Sequence, residues 1–235
     1  MNNSDLPIRL GTLIATHTAN WVTESQPIEW RPDTWKGHWD ENGLPYRHVL
    51  DELEAEHASQ GTIRRKFIFD TYQNRPAAEL FIATMVWGSG PDNRGPARTG
   101  GILKQPAAVA KIEDTVSVVR RDGGAAGYRA YYARNRLENL DVAFVTKLLY
   151  FAGYRSAHRP RPLIYDSRVA AVAARLPSAP LLPLITDGVT TASYQRYCEW
   201  AEDVARRHQT EPTVIEWALF ALGAEIRTEL ARTSP

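Results

Sequence analysis

The stretch Asp141-Val-Ala-Phe-Val-Thr-Lys-Leu-Leu-Tyr-Phe-Ala152 constrains the fold more than any other part of the chain. It contains no Gly or Pro and is apolar nearly all round. A helix of that kind belongs at the centre of a protein, because every face must be covered by other elements.

The rest of the sequence supplies mainly further helices. Helical apolar spacing with interposed acidic residues runs from Arg47 to about Ser59, and Pro76 opens Ala77–Trp87, a buried helix that ends at Gly88. Helical patterns continue through roughly 106–121, 124–136 and 140–152, broken by Asp122-Gly-Gly and Leu137-Glu-Asn. Pro160-Arg-Pro162 blocks continuation, Leu163-Ile-Tyr is a short extended piece, and Ser167–Leu176 is helical. A Pro-rich run from Pro177 leads to two last helices, about 190–208 and 212–231. The segment Thr62–Asp70 is too short and mixed to assign between helix and strand. Residues 1–45, with Trp21, Trp30, Trp35 and Trp39, keep no period for long and read as an ordered, irregular segment packing its Trp onto a neighbouring lobe. Residues 88–101 are dense in Gly and Pro and read as a linker or a mobile loop near a site. The predicted class is all-α (mainly α): one domain over 1–235, with a lobe at about 102–176, a second built from 1–87 plus 177–235, and the loop 88–101 between them.

Composition removes several functions. No apolar run approaches the roughly 20 residues of a membrane span. The N-terminus has neither the basic cluster nor the apolar core of a secretory signal. The single Cys198 excludes an intramolecular disulfide framework and a cysteine metal cluster, so a reducing cytoplasm is expected and no metal or cofactor is called for. With 28 basic and 27 acidic residues the net charge is only +1. Lys stands only at 36, 66, 104, 111 and 147, the other basic residues being Arg. A GC-rich coding sequence accounts for such a bias, and Arg forks also suit phosphate and base-edge contacts.

Lys147 is the Lys in an unusual place. Phe144, Tyr150 and Phe151 are its neighbours at helical spacing, so its stem emerges among rings. Burial there lowers a Lys pKa and makes the amine a nucleophile; the alternative is a side chain that lays its stem on apolar surface and reaches water. Nineteen residues later Asp166 stands where the next helix needs its N-cap. By itself that is a structural cap, kept ionised by backbone N–H groups and the helix dipole. Together, a Lys in a buried helix and an ionised Asp at the next helix start form a candidate nucleophile and its carboxylate partner.

On these residues the segment Leu137–Leu176 resembles the catalytic region of the helix-hairpin-helix DNA glycosylases and looks most like the 8-oxoguanine DNA glycosylases, particularly their divergent archaeal branch. In that family a Lys on the second helix of the hairpin is followed by a Val-Asp or similar pair opening a helix. The resemblance puts the nucleophile on Lys147 and the carboxylate on Asp166, and the Asp166-Ser-Arg-Val-Ala run adds to the match. The hairpin departs from the usual Leu-Pro-Gly-Val-Gly: Leu137-Glu-Asn-Leu-Asp-Val142 has no Gly. The four-cysteine iron–sulfur loop of some relatives is impossible here.

The implied reaction flips a damaged base out of double-stranded DNA, stabilises positive charge on the sugar through Asp166, and attacks C1′ with Lys147 to give a Schiff base. An accompanying AP-lyase activity is implied by the same resemblance. Phe144, Tyr150, Trp87 and Trp217 are candidates for the base pocket, with Trp200 beside them, although aromatics at helical spacing are more often core. Arg155, His158 and Arg168, with Arg159 and Arg161, are candidates for the DNA backbone against the alternative of a solvated basic face. A monomer in contact with the nucleoid is expected. The target is an 8-oxoguanine-like purine or, as an alternative, a hypermodified phage base such as a glucosylated one, excised in defence. Two further readings stay open: a non-catalytic lesion-sensing DNA-binding protein, and a Lys-based aldolase, which the missing sugar-phosphate motif and α/β pattern disfavour.

Overall fold

Helix starts in this chain are marked by capping side chains and by prolines that need no amide partner. In the computed structural model, which describes residues 5–20, 26–177, 179 and 182–233, these signals are used repeatedly. Pro32 opens α2 (Pro32–Glu41), after α1 (Leu6–Asn20), and Pro76 caps α5 (Ala77–Ser89). Between them lie α3 (Arg47–Gln60) and α4 (Arg65–Tyr72). Then come α6 (Arg94–Leu103), α7 (Ala108–Asp122) and α8 (Gly124–Ala130), the last running into a π-helical turn at Tyr131–Asn135. Asp141 caps α9 (Val142–Gly153) and Asp166 caps α10 (Ser167–Ala173). A reciprocal Thr190/Ser193 capping box opens α11 (Thr191–Arg207), and Pro212 opens α12 (Pro212–Thr233). Among the described residues the strands are a single antiparallel pair, β1 (Pro27–Ile28) with β2 (Ile63–Arg64). The chain is all-α.

The helix predicted to be central is central. α9 is covered by α5, α7 and α8, while α12 packs on α10, α11 and α1, and the buried apolar side chains form one continuous cluster.

Three local expectations are corrected. The N-terminal segment is not irregular: it contains α1 and α2. Leu6, Leu10 and Ile14 recur every fourth residue and bury the face of α1 that meets α12. Trp35 and Trp39, also four apart, stack with centroids 5.9 Å apart on the buried face of α2, and Trp39 Nε1 donates to Pro45 O at 2.8 Å. Trp21 lies outside the described residues. The ambiguous segment from Thr62 resolves into β2 followed by α4. Finally, the Gly/Pro-rich run 88–101 ends as helix α6. Two of its glycines serve close approach, since a Cβ at Gly95 would lie 2.7 Å from Trp35 Cζ2 and one at Gly100 2.8 Å from Leu44 Cδ1. Among the described residues no helix is long and apolar enough to cross a membrane.

Candidate active site

The turn before α9 is built without glycine. Tyr131 Oη donates to Leu140 O at 2.6 Å and accepts from Leu137 N at 3.2 Å, and Asn139 takes the left-handed conformation (φ 62°) that Asn tolerates better than most residues. Gln105 holds the same turn from outside, donating to Glu138 O and accepting from Glu138 N. Asp141 then accepts from Ala143 N at 3.2 Å, which fixes where α9 begins and which face carries Lys147.

Lys147 is only 8% exposed. Its stem runs past Gly88, where a Cβ would stand 2.8 Å from Lys147 Cδ and 3.1 Å from Phe144 Cε1. Its amine donates to Ala143 O at 3.4 Å, lies 5.1 Å from the centre of the Phe144 ring, and stands 3.9 Å from Asp166 Oδ2. Burial lowers the Lys147 pKa from its ordinary value, and the Asp166 carboxylate opposes that with a smaller rise. The two oxygens of Asp166 divide their work. Oδ1 accepts from Arg168 N at 2.9 Å and Val169 N at 3.0 Å, capping α10, which leaves Oδ2 to face the amine.

The segment before Asp166 is anchored residue by residue. Thr146, adjacent to Lys147 on α9, accepts from Tyr165 N at 3.0 Å. Two tyrosines of α11 donate to the two carbonyls before Tyr165, Tyr194 to Leu163 O (2.9 Å) and Tyr197 to Ile164 O (3.0 Å). These bonds tie the start of α10 to the middle of α9 and so set the Lys147–Asp166 separation.

The pair opens onto a cavity of about 390 Å³ walled by residues from six stretches of the chain, among them Gln26, Arg65, Trp87, Ser89, Glu216 and Phe220. Arg65 and Glu216 form a fully buried bidentate pair (2.6 and 3.2 Å), and Arg65 also donates to Tyr150 Oη and Thr213 Oγ1. Burial pushes the Glu216 carboxyl up and Arg65 pulls it back. On residues that line the cavity, Gln26 Oε1, Arg65 Nε, Trp87 Nε1 and Ser89 Oγ are buried and have no hydrogen-bond partner among the described residues. Buried polar atoms are normally satisfied, so four unmet ones on residues around one cavity make it a candidate site for a polar ligand.

The residues nominated from sequence separate into two groups. Lys147, Asp166, Trp87 and Arg168 line the cavity, and Phe144 packs beside Lys147. Tyr150 does not line it, its hydroxyl meeting Thr213 at 2.9 Å and Arg65 at 3.3 Å. Trp217 packs against His17, and Trp200 lines a separate groove against Leu10 and Ile14 of α1. Arg155 is paired with Asp70 at 2.7 Å and lies over Phe69. His158 backs Gly123, Arg159 approaches Glu202 at 3.7 Å, and Arg161 pairs with Glu211. Sequence reasoning missed Gln26, Arg65, Gly88, Ser89, Glu216 and Phe220. Only Gly88, ending a buried helix directly after Trp87, carried a readable signal. Among the described residues no group of three or more His, Cys, Asp or Glu is placed to hold a metal ion.

A family model described as "OGG: Putative 8-oxoguanine DNA glycosylase OGG-like protein" matches residues 22–220. No curated protein and no solved structure matches the chain.

Proposed function

Because the chain belongs to the 8-oxoguanine DNA glycosylase OGG-like family, we propose that it excises a modified purine, of the 8-oxoguanine type, from double-stranded DNA by nucleophilic attack of Lys147 on the sugar. The observation that carries this reading is the buried Lys147 amine, 3.9 Å from the one oxygen of Asp166 that its capping role leaves free, at the wall of a cavity with unmet polar atoms.

In the proposed reaction the target nucleotide rotates out of the stack and its base enters the cavity. Trp87 Nε1 and Ser89 Oγ face its polar edge, Gln26 Oε1 supplies an acceptor, and Trp87 and Phe220 supply apolar wall. As the C1′–N9 bond breaks, its electron pair leaves with the base, which takes up a proton. The carboxylate of Asp166 offsets the positive charge that develops across C1′ and O4′. The lone pair of neutral Lys147 Nζ forms the new bond to C1′ and the amine gives a proton to Asp166. Opening of the C1′–O4′ bond then yields the Schiff base, from which loss of a C2′ proton and of the 3′ phosphate gives strand cleavage.

The cavity walls also support a division of labour along the chain. Residues 102–176 supply Lys147, Ile164, Asp166 and Arg168, while the parts before and after supply Gln26, Arg65, Trp87, Glu216 and Phe220. In our reading the catalytic lobe is 102–176, closed by a second lobe that reads the base.

Incubation with duplexes carrying 8-oxoguanine, other oxidised or alkylated purines, or glucosylated bases, followed by chromatography of released bases, tests the function. Release of an oxidised purine is expected. Release of only a glucosylated base would instead assign the chain to excision of phage-type DNA, and release of none across the panel would contradict the proposal.

A further inference from the structure

The arginines of this chain differ in what holds them. Arg65 is cancelled by Glu216, Arg155 by Asp70, Arg161 by Glu211, and Arg94 by Asp92 at 3.0 Å. Two guanidinium groups at the site are held in another way. Arg168 lies over the Phe220 ring at 4.7 Å, and Arg98 lies over the Phe144 ring at 4.9 Å. Among the described residues neither guanidinium has a hydrogen bond or a carboxylate at ion-pair distance. Asp92, already engaged by Arg94, feels Arg98 only at longer range.

An aromatic ring fixes the plane of an arginine fork while leaving its N–H donors free, and a free, pre-oriented fork matches the two oxygens of a phosphodiester. The position of Arg98 is as informative as its freedom. Phe144, the ring beneath it, also carries Lys147 Nζ at 5.1 Å and lies against Gly88 at the cavity wall. Arg98 is thus one ring away from the amine, approaching from α6, while Arg168 lines the same cavity from the first turn of α10. A nucleotide whose base enters the cavity brings its flanking phosphates to this rim.

We infer that Arg98, with Arg168, grips the DNA phosphates flanking the flipped nucleotide, each guanidinium being presented by an aromatic ring. The inference rests on the reading of the cavity as a base pocket and adds a DNA-backbone ligand from α6, a stretch whose composition reads only as a linker or loop near a site.

The test is fluorescence anisotropy with a labelled duplex containing a tetrahydrofuran abasic analogue, titrated between about 50 and 200 mM salt. Arg98→Gln is expected to weaken binding about tenfold and to lower the slope of log affinity against log salt by about 1. Arg98→Lys, which keeps the charge, is expected to retain the slope, and Arg98→Gln/Arg168→Gln to lower it by about 2. Arg98 is half-exposed, and thermal melts of each variant check that the fold persists. An unchanged slope in Arg98→Gln, or an equal loss in Arg98→Lys, would overturn the assignment. Borohydride trapping on a modified-purine duplex separates this outcome from the excision reading. Adduct with unchanged slope removes Arg98 alone; a lowered slope without adduct removes excision and leaves the grip; wild type that fails to bind DNA removes both.

Discussion

Substituting Gly88 by Ala sets two known effects against each other and separates stability from chemistry. Gly88 lies in the last turn of α5, where Ala in place of Gly favours the helix by up to about 1 kcal/mol. The added Cβ, however, meets Lys147 Cδ at 2.8 Å and Phe144 Cε1 at 3.1 Å, against an ordinary contact of 3.4 Å or more. Such overpacking costs about 1–3 kcal/mol. The net change in stability is therefore small, roughly 0–2 kcal/mol of loss. The effect on the amine is larger, because Cδ must retreat by about 0.6 Å and the shift grows along the stem to nearly 1 Å at Nζ, where a displacement of that size costs on the order of 10²-fold in rate. Single-turnover formation of the borohydride-trapped adduct should thus fall about a hundredfold. Affinity for the abasic duplex should stay unchanged, with a melting temperature lower by no more than about 8 °C. Adduct formation at the wild-type rate would refute the claim that Gly88 sets the Lys147 position.

Three further outcomes follow from the same contacts. Attack requires the free amine, so the adduct-forming rate should rise with pH through a midpoint below the ordinary Lys value of 10.5. Asp166 and Glu216 raise that midpoint and Arg65 lowers it, so Asp166→Asn should move it to still lower pH while the plateau falls about 10²-fold or more. A single-turnover pH–rate series reads both, and a midpoint near 10.5 in wild type would contradict the burial argument. Glu216→Gln leaves Arg65 buried without its counter-ion, which should cost about 3–5 kcal/mol; differential scanning calorimetry should show a melting temperature lower by roughly 6–20 °C. The double change Arg65→Met/Glu216→Met should recover most of it. Tyr131→Phe removes the hydroxyl that joins Leu137 and Leu140, and urea unfolding should show a loss of about 1–3 kcal/mol.

What the sequence made legible was local. The all-round apolar character of 141–152 marked the central helix, and Asp166 before Ser-Arg-Val marked a cap, because both depend on neighbours within one or two turns. The Lys147–Asp166 meeting followed from a short connection. What stayed hidden depends on distant partners. Composition marks residues 88–101 as loop, yet Gly95 and Gly100 are glycines because Trp35 and Leu44 press against them, some sixty residues away in sequence. Arg155 and Arg161 read as an open basic face until Asp70 and Glu211 arrive from elsewhere in the chain, whereas Arg98, not singled out within the loop-like stretch 88–101, is left with a ring and, among the described residues, no carboxylate at ion-pair distance. Buried Arg65 and Glu216 are 151 residues apart, and nothing in either local segment distinguishes them from surface charges.

Whether Lys147 is the nucleophile is decided by borohydride reduction of wild type on a modified-purine duplex followed by peptide mass mapping. A covalent protein–DNA adduct whose modified peptide carries the sugar remnant on Lys147 is expected, and none with Lys147→Gln. An adduct that persists in Lys147→Gln, or maps to another residue, would contradict that role.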